Sequence, residues 1–241
     1  LVGSEMCIRD RIMTETSTIK VHLMRHGEVH NPERIVYGRL PGYRLSDKGQ
    51  QMVRLSAEEF AARAERGARF VHLVCSPLQR TRESAAPVEE LLCLTAQPDE
   101  RVIEADNYFE GLHVNAQELL RNPRHWTKLY NPARPSWGES YLDQIRRMAA
   151  AVQDAARTAY ERGGEGAEAI IVSHQLPIWI TRLGVEGRML QHDPRARECN
   201  LASITTLAFS TTDFEHEMPH FVGYSEPAAP LYGGVIQLPG S

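Results

Sequence analysis

Two histidines that each follow a short aliphatic run are the most informative residues of this 241-residue chain. His26 comes after the run Ile19–Met24, and His174 comes after the run Ala169–Val172. Such runs are typical of buried strands. Because ligands of open α/β sheets bind outside the carboxyl ends of the strands, we predict both imidazoles at one edge of a sheet. With Arg25 beside His26, this arrangement suits transfer of a phosphoryl group to an imidazole nitrogen.

The composition excludes several classes of protein. Hydrophobic residues make up 42% of the chain and charged residues 24%, as is usual for a globular domain. A formal net charge of −4 provides no basic surface for nucleic acid or for an anionic membrane. No apolar run approaches the roughly 18 residues of a membrane span. The four cysteines lack Cys-x-x-Cys spacing, and we interpret them as reduced thiols of a cytoplasmic protein.

The alternation of strand and helix patterns predicts one α/β domain over residues 13–225, a three-layer α/β/α fold with a mostly parallel central sheet. Residues 1–12 resemble nothing that follows, and we interpret them as a non-native or disordered leader. Residues 226–241 are rich in proline and glycine and are predicted to form a loose C-terminal tail.

The patterns also predict where each element lies. Ser46 and Ser140 are expected to cap helices, because a serine hydroxyl accepts a hydrogen bond from a free N–H group of the first turn. Gly67 and Gly163-Gly164 are expected to end those two helices. The predicted strands are 19–24, 70–75, 97–103, 169–172, 203–209 and 217–224, and the predicted helices are 46–66, 78–94, 140–162 and 175–183, with Ser76-Pro77 opening the second helix.

Five short blocks, in this order along the chain, resemble the histidine phosphatase superfamily, the phosphoglycerate mutase-like group. The resemblance covers residues 19–209 and implies a phosphoglycerate mutase-like fold. Its blocks are Arg25-His26-Gly27-Glu28, then Ser76 to Ala85, then Glu104, then Trp137-Gly138-Glu139-Ser140, and then Val172-Ser173-His174.

Four of these residues are predicted to hold and attack the phosphate. Arg25 and Arg80 are the candidates for gripping its nonbridging oxygens, since the planar guanidinium is always charged. His26 is the candidate nucleophile, because a neutral imidazole can attack phosphorus in line. His174, kept protonated by the charge of the phosphate, is expected to hydrogen-bond an oxygen of the transferring group. The family resemblance implies the same roles.

A carboxyl group with a raised pKa is expected to protonate the leaving alkoxide. Glu104 matches the family's acid, and Glu110 in Phe109-Glu110-Gly111 matches a second nearby glutamate. We favour Glu104 as the proton donor and Glu110 as a structural residue. The usual glycine between the two blocks is replaced by Asn107-Tyr108, which leaves the choice between the two carboxyls open.

A second group of residues is expected to contact substrate. The front-loop arginines Arg34, Arg39 and Arg44 are favoured over the run Arg195–Arg197, because their loop borders the phosphate site. We interpret the run as a solvated turn, with binding of an extended anionic substrate as the alternative. Trp126, Tyr130 and Trp137 either line the leaving-group pocket or pack their own segment. The predicted substrate-binding residues are Gly27, Asn31, Arg34, Ser140 and Gln175, of which Ser140 has helix capping as its alternative role.

No metal or cofactor is expected. His22, His26 and His30 recur at every fourth residue, but they span a predicted strand and a loop rather than one helix face. We therefore interpret His22 as a packed strand residue.

The resulting functional hypothesis is a metal-independent phosphatase of histidine acid type that acts on a small phosphorylated metabolite. The alternatives are a phosphoglycerate mutase, a phosphoprotein phosphatase and a non-catalytic phospho-ligand binding module. The interval from Glu104 to Gly138 is short beside the family's mutases, and the retained catalytic set argues against a binding module. The expected partner is a small phosphorylated substrate, and a homodimer is left open.

Overall fold

The computed structural model describes residues 18–112 and 138–233. The leader 1–12, the three aromatic residues Trp126, Tyr130 and Trp137, and the segment 234–241 lie outside this part of the chain. In chain order the elements are β1 (Ile19–Arg25), α1 (Asp47–Glu65), β2 (Arg69–Cys75), α2 (Gln79–Leu92), β3 (Ala96–Pro98), α3 (Tyr141–Gly163), β4 (Ala167–Ser173), α4 (Gln175–Val185), β5 (Ile204–Phe209) and β6 (His220–Ser225). Short 3-10 turns occupy Glu100–Val102, Pro194–Ala196 and Ala229–Leu231.

The strands form one sheet in the order β3-β2-β4-β1-β5-β6. The strands β1, β2, β3 and β4 pair in parallel, whereas β5 is antiparallel to both β1 and β6. The predicted mostly parallel sheet is therefore confirmed, and β5 is the strand that departs from it.

Helices cover both faces of the sheet, because successive side chains of a strand point to opposite sides. In β4, Ala169 and Ile171 pack with α3 and α4. Their neighbours Ile170 and Val172 pack with α1 and α2 on the other face. Both faces of the central strand are thus fully buried, as expected for parallel strands, and the three-layer α/β/α prediction is confirmed.

The two predicted helix caps are confirmed. The Ser46 hydroxyl accepts the N–H of Gly49 at 2.9 Å, and the Ser140 hydroxyl accepts the N–H of Asp143 at 3.1 Å. Helix α2 begins at Gln79 rather than within the predicted first turn at Pro77. The strand predicted over 97–103 is also wrong in length, because the chain leaves the sheet at Pro98 and turns into a 3-10 helix.

The segment 226–233 packs on the domain instead of forming the first part of the predicted loose tail. Ala228 is fully buried beside α1 and β5, and the Tyr232 hydroxyl donates to the carbonyl of Leu201 at 2.9 Å. Among residues 18–112 and 138–233, no helix has the length and apolar character needed to cross a bilayer.

The pairing of β1 with β4 brings the two predicted site segments together. Arg25, the last residue of β1, is in register with Ser173, the last residue of β4. The N–H of His26 then donates to the carbonyl of Ser173 at 3.1 Å. The two residues that follow these strands, His26 and His174, therefore emerge side by side from the carboxyl edge of the sheet.

Candidate active site

The two predicted histidines lie against each other at the sheet edge. The ring centroids of His26 and His174 are 5.2 Å apart, and the rings meet edge to face at 63°. Both side chains are completely buried. Two imidazoles at this distance can contact oxygen and phosphorus atoms of the same small anion.

The His26 ring is held as a neutral imidazole with one open nitrogen. Its Nδ1 lies 2.8 Å from the carbonyl of Gly27. Because a carbonyl only accepts, Nδ1 carries the proton and Nε2 has a free lone pair. No described residue hydrogen-bonds that Nε2. Burial, followed by the charges of Arg80 and Arg25, holds the pKa of His26 well below its usual range.

His174 has a different set of contacts. Its Nε2 lies 2.8 Å from the hydroxyl of Ser76, and its Nδ1 lies 4.0 Å from Oε2 of Glu104. Nδ1 has no hydrogen-bond partner among the described residues. Burial, then Arg80 and His26, lowers the pKa of His174 well below its usual value. A bound phosphate dianion would oppose the effect of these cations and favour the protonated ring.

Two buried arginines surround the histidine pair. Arg25, at the end of β1, donates from Nη1 to the carbonyl of Cys199 at 2.7 Å. Arg80, in the first turn of α2, is 1% exposed and bonds to the carbonyl of Gly38. Its guanidinium also lies 4.8 Å from the centre of the Tyr37 ring. The described contacts of Arg80 are a carbonyl and a ring rather than a carboxylate, so its charge favours the binding of an anion.

Glu104 supplies the buried carboxyl group of the site. Its Oε1 accepts the N–H of Ala105 at 2.8 Å, and its Oε2 faces His174. Burial raises the pKa of Glu104, although the hydrogen bond from Ala105 and the charges of Arg80 and Arg25 oppose the shift. This carboxyl group therefore holds a proton more readily than an exposed one.

An ion-pair network fixes the segment that carries Glu104. Arg147 of α3 donates to the carbonyl of Ile103 at 2.7 Å, and Arg39 donates to the carbonyl of Glu104 at 2.7 Å. Glu139 accepts from both arginines, at 2.7 and 2.9 Å from Arg147 and at 3.2 Å from Arg39. The role of Arg147 was missed from the sequence, since one more arginine in a helix gives no signal of the carbonyl groups it will reach.

Glu110 contacts the loop residue Arg39, next to Gly38, whose carbonyl accepts from Arg80. Its Oε1 accepts the N–H of Arg39 at 2.7 Å, next to Gly38, whose φ of +36° suits glycine. The structure thus gives Glu110 a contact that organises the front loop, and its structural role stays a prediction.

Three predicted substrate contacts are engaged with the protein itself. Asn31 donates to the carbonyl of Ile35 at 2.8 Å and accepts the N–H of the same residue at 3.2 Å. Ser140 bonds to Asp143 in its capping role. The N–H of Gly27 donates to the Ser84 hydroxyl at 3.2 Å. Contact of these three residues with a phosphate remains a prediction.

The two remaining candidates differ in position. Arg34 is exposed, has a φ of +56°, and forms no side-chain hydrogen bond with a described residue. Gln175, directly after His174, is buried, and its amide donates to the carbonyl of Cys199 at 3.3 Å. Its Oε1 accepts from Arg197 at 3.2 Å. Arg197, which the sequence analysis assigned to a solvated turn, therefore contacts the residue next to His174, and a contact of Arg34 with substrate stays a prediction.

His22 does not join the site. It is buried in β1, with Nε2 at 2.7 Å from Glu168 and Nδ1 at 2.9 Å from the Thr206 hydroxyl. It is a packed strand residue, as expected.

Comparison with known families and proteins agrees with this geometry. The profile of the histidine phosphatase superfamily (branch 1) matches residues 21–219. An uncharacterized protein of Mycobacterium tuberculosis, Rv0525, is 44% identical over 211 residues, which cover 87% of this chain and 97% of that protein.

Solved structures show the same fold at low sequence identity. Mycobacterial glucosyl-3-phosphoglycerate phosphatase Rv2419c superposes with a TM-score of 0.68 at 22% identity, over 85% of this chain and 97% of that chain. Phosphoserine phosphatase from Entamoeba histolytica gives a TM-score of 0.63 at 20% identity, over 86% and 96% of the two chains.

Proposed function

Because the chain belongs to the histidine phosphatase superfamily, we propose that it is a phosphomonoester hydrolase that acts on a small phosphorylated metabolite without a metal ion. In this proposal the phosphoryl group is carried transiently by Nε2 of His26. The arginines Arg25 and Arg80 bind its nonbridging oxygens, and His174 donates a hydrogen bond to one of them. The substrate is a phosphate monoester whose dianion balances the buried cations.

The first step breaks the ester bond. The lone pair of His26 Nε2 attacks phosphorus in line, an N–P bond forms, and the P–O bond to the leaving group breaks. The electron pair of that bond goes to the leaving oxygen as an alkoxide, which takes the proton of Glu104. The alcohol product departs and Glu104 is left as a carboxylate.

The second step restores the enzyme. The Glu104 carboxylate takes a proton from a water molecule as that water attacks the phosphorus of phospho-His26. The N–P bond breaks, its electron pair returns to Nε2, and inorganic phosphate leaves. The raised pKa of Glu104 supports both roles, because the same group must first give up and then accept a proton near neutral pH.

One observation carries the proposal above all others. The Nδ1 proton of His26 is bound to the carbonyl of Gly27, so the buried Nε2 has its lone pair free beside two arginines and a second histidine. A histidine kept only for packing is expected to have both nitrogens satisfied, as buried polar groups generally do.

Trapping of the phosphoenzyme tests the proposal. We mix the protein with p-nitrophenyl phosphate, quench it in base at millisecond intervals, and map the added phosphoryl group by mass spectrometry. We expect the adduct on His26 in the wild type and a larger amount in Glu104→Gln, since the phenolate leaves unaided while the attacking water loses its base. His26→Ala is expected to give no adduct.

His30→Ala is the matched control, because it removes an exposed imidazole four residues further along and should leave trapping unchanged. Turnover without any adduct on His26, at every quench time, would contradict the proposal. With phosphoglycerate as the substrate, formation of its isomer with little free phosphate would indicate a mutase instead of a phosphatase.

A further inference from the structure

We propose that Arg39 is a positioning residue for the proton donor: it fixes the peptide unit between Glu104 and Ala105, and that unit directs the Glu104 carboxyl group. This inference rests on the proposed function, since it concerns how the same site aims its acid. Arg39 lies in the front loop, whose arginines the sequence analysis expected near the substrate. The described contacts of its guanidinium are with the protein itself.

Arg39 and the Glu104 carboxyl group contact opposite sides of one peptide unit. Nε of Arg39 donates to the carbonyl of Glu104 at 2.7 Å. The N–H of the same unit, which belongs to Ala105, donates to Oε1 of Glu104 at 2.8 Å. Because a trans peptide is planar and its C=O and N–H groups point in opposite directions, a bond that fixes the carbonyl also fixes the direction of the N–H. Arg39 therefore holds the carboxyl group through a rigid unit.

The direction of this N–H decides which oxygen of Glu104 faces the histidine pair. Oε1 is occupied by the N–H of Ala105, whereas Oε2 lies 4.0 Å from Nδ1 of His174. Oε2 is therefore the oxygen that can carry the acid proton on the side of the reacting phosphate. A rotation of the peptide unit would release Oε1 and allow the carboxyl group to turn away from His174.

A shared carboxylate keeps the Arg39 side chain in place. Nη2 of Arg39 lies 3.2 Å from Oε2 of Glu139. Glu139 also binds Arg147 through both of its oxygens, and Arg147 donates to the carbonyl of Ile103 at 2.7 Å. The carbonyls of two consecutive residues, Ile103 and Glu104, are thus held by two arginines that share one carboxylate. A planar guanidinium can hold two acceptors in one fixed geometry, which a single ammonium group cannot reproduce.

The backbone around Arg39 connects this contact to the phosphate-binding side of the site. The carbonyl of Gly38 accepts from Arg80, and the N–H of Arg39 donates to Oε1 of Glu110 at 2.7 Å. Gly38 has a φ of +36°, and a Cβ at this position would clash with the Glu110 carboxylate, so the chain is closely confined here. One loop therefore contacts both a cation that binds the phosphoryl group and, in the proposed reaction, the residue that protonates the leaving group.

A double-mutant cycle tests the role of Arg39. We measure phosphoenzyme formation in single turnovers of glycerol 3-phosphate, whose alkoxide needs a proton, and of p-nitrophenyl phosphate, whose phenolate does not. Arg39→Ala should lower the rate on glycerol 3-phosphate by about tenfold to a hundredfold, because a misplaced catalytic group loses rate on this scale. The rate on p-nitrophenyl phosphate should change less than about threefold.

The second arm of the cycle repeats the substitution without the acid. In the Glu104→Gln background, Arg39→Ala should change the rate on either substrate by less than about threefold, since a residue that acts only through Glu104 has no further effect once that acid is removed. The two losses on glycerol 3-phosphate should therefore not multiply.

Two further variants separate positioning from a general effect of charge. Arg39→Lys keeps the charge and loses the planar fork, so it should recover part of the rate on glycerol 3-phosphate. Arg82→Gln is the matched control. Arg82 is an exposed arginine of α2 whose side chain makes no hydrogen bond or salt bridge with a described residue, so its removal should leave both rates unchanged.

Hydrogen exchange at Ala105 gives a readout that needs no substrate. The amide of Ala105 is the donor to Oε1 of Glu104, so it should exchange at least about tenfold faster in Arg39→Ala than in the wild type. Arg82→Gln should exchange as the wild type does. Nuclear magnetic resonance on the folded variants measures this single amide.

The outcomes separate the inference from the proposed function. Equal losses on both substrates, or a loss that persists in Glu104→Gln, would overturn the positioning role and indicate a direct contact of Arg39 with substrate. Glu104→Gln would still distinguish the two substrates, so the phosphatase would stand. If the wild type forms no phosphoenzyme with any monoester, the proposed function fails. Exchange at Ala105 then decides by itself whether Arg39 holds the Glu104 carboxyl group, and an unchanged rate would overturn that contact.

Discussion

Two buried histidine–glutamate pairs lie on this sheet, and they differ in how completely their polar atoms are satisfied. In the first pair, His22 Nε2 is 2.7 Å from Glu168, and the other ring nitrogen is 2.9 Å from Thr206. In the second pair, His174 Nδ1 is 4.0 Å from Glu104 and has no described hydrogen-bond partner.

The carboxyl groups of the two pairs respond in opposite directions. Hydrogen bonding to His22 and the charges of His22 and Lys20 outweigh burial and lower the pKa of Glu168. Burial outweighs the nearby arginines and raises the pKa of Glu104. Burial alone therefore does not mark a reactive site. The pair that acts on substrate in the proposed mechanism is the one in which hydrogen bonds are left incomplete among the described residues.

The largest expected effect comes from comparing the imidazole within β1 with the imidazole that directly follows it. His26→Ala should lower kcat/KM for p-nitrophenyl phosphate by at least about 10⁴-fold, because the nucleophile of the covalent step is lost. His22→Ala, four residues earlier and within the strand, should change kcat/KM less than about threefold while the protein is folded. Steady-state kinetics with circular dichroism as a check of folding measures both.

These two variants can refute the distinction between the two histidine–glutamate pairs. If His22→Ala, folded to the same extent as the wild type, lost as much activity as His26→Ala, then complete hydrogen bonding would not distinguish a structural histidine from a reactive one.

The next largest effect concerns the proton of Glu104. Glu104→Gln should lower kcat about 10²- to 10⁴-fold on alkyl phosphates, because their alkoxide needs a proton. It should lower the rate of phosphoenzyme formation from p-nitrophenyl phosphate much less. Single-turnover kinetics on the two substrates measure the difference. Equal losses on both would show that Glu104 does not act on the leaving group.

The pH dependence sharpens this result. Glu104 must be protonated, so kcat/KM on alkyl phosphates should fall as pH rises through its raised pKa. His26 must be neutral, and since its pKa lies well below 6.5, the acid limb should lie well below pH 6.5. Activity should therefore peak in mildly acidic to neutral solution. The fall attributed to Glu104 should be missing in Glu104→Gln, with p-nitrophenyl phosphate as the control for ionisation of the phosphate itself.

The smallest effect is on stability, where one substitution should act differently in the two pairs. At pH 7, Glu168→Gln should lower the free energy of unfolding by about 1–3 kcal/mol, because a charged hydrogen bond to His22 is lost. Glu104→Gln should change it by less than about 1 kcal/mol or raise it, since a buried group with a raised pKa is destabilising when charged. Urea unfolding of both variants gives the comparison.

The two glutamates should also affect the pH dependence of the free energy of unfolding in opposite directions. A lowered pKa means that the stability contributed by Glu168 is present above pH 4.5 and is lost as pH falls through the folded-state pKa. Protonation of Glu104 on acidification has the opposite effect. Equal and parallel losses of stability in the two variants would contradict the distinction between the pairs.

Local patterns predicted most of the elements that position the site. Ser46 and Ser140 correctly predicted the starts of their helices. Each cap is a contact between residues three positions apart, so the local sequence is enough to predict it. The strand predicted over 97–103 was too long, since nothing in that run shows that Asp99 caps a 3-10 turn by accepting the N–H of Arg101. Contacts between residues close in the sequence could therefore be predicted. The sequence did not show whether the strand or the 3-10 turn would form where the two compete.

The side-chain contacts that the sequence did not reveal depend on the folded path of the chain. Arg197 lies in a run with proline and aspartate that is typical of a solvated turn, and its contact with Gln175 joins residues 22 positions apart. The amide of Asn31 closes a turn with Ile35, while its contact with phosphate stays a prediction. No pattern of residue types distinguishes these outcomes before the chain is folded.

The register of Arg25 opposite Ser173 has a consequence for how such an enzyme can diversify. The two imidazoles stand on neighbouring strands, and their separation of 5.2 Å is close to the roughly 4.8 Å between adjacent strands of any sheet. The distance between the two imidazoles is thus set by backbone hydrogen bonding between β1 and β4, and not by loop conformation. In the proposed reaction, changes in the loops would alter the alcohol that is accepted while the distance between the two imidazoles stays constant.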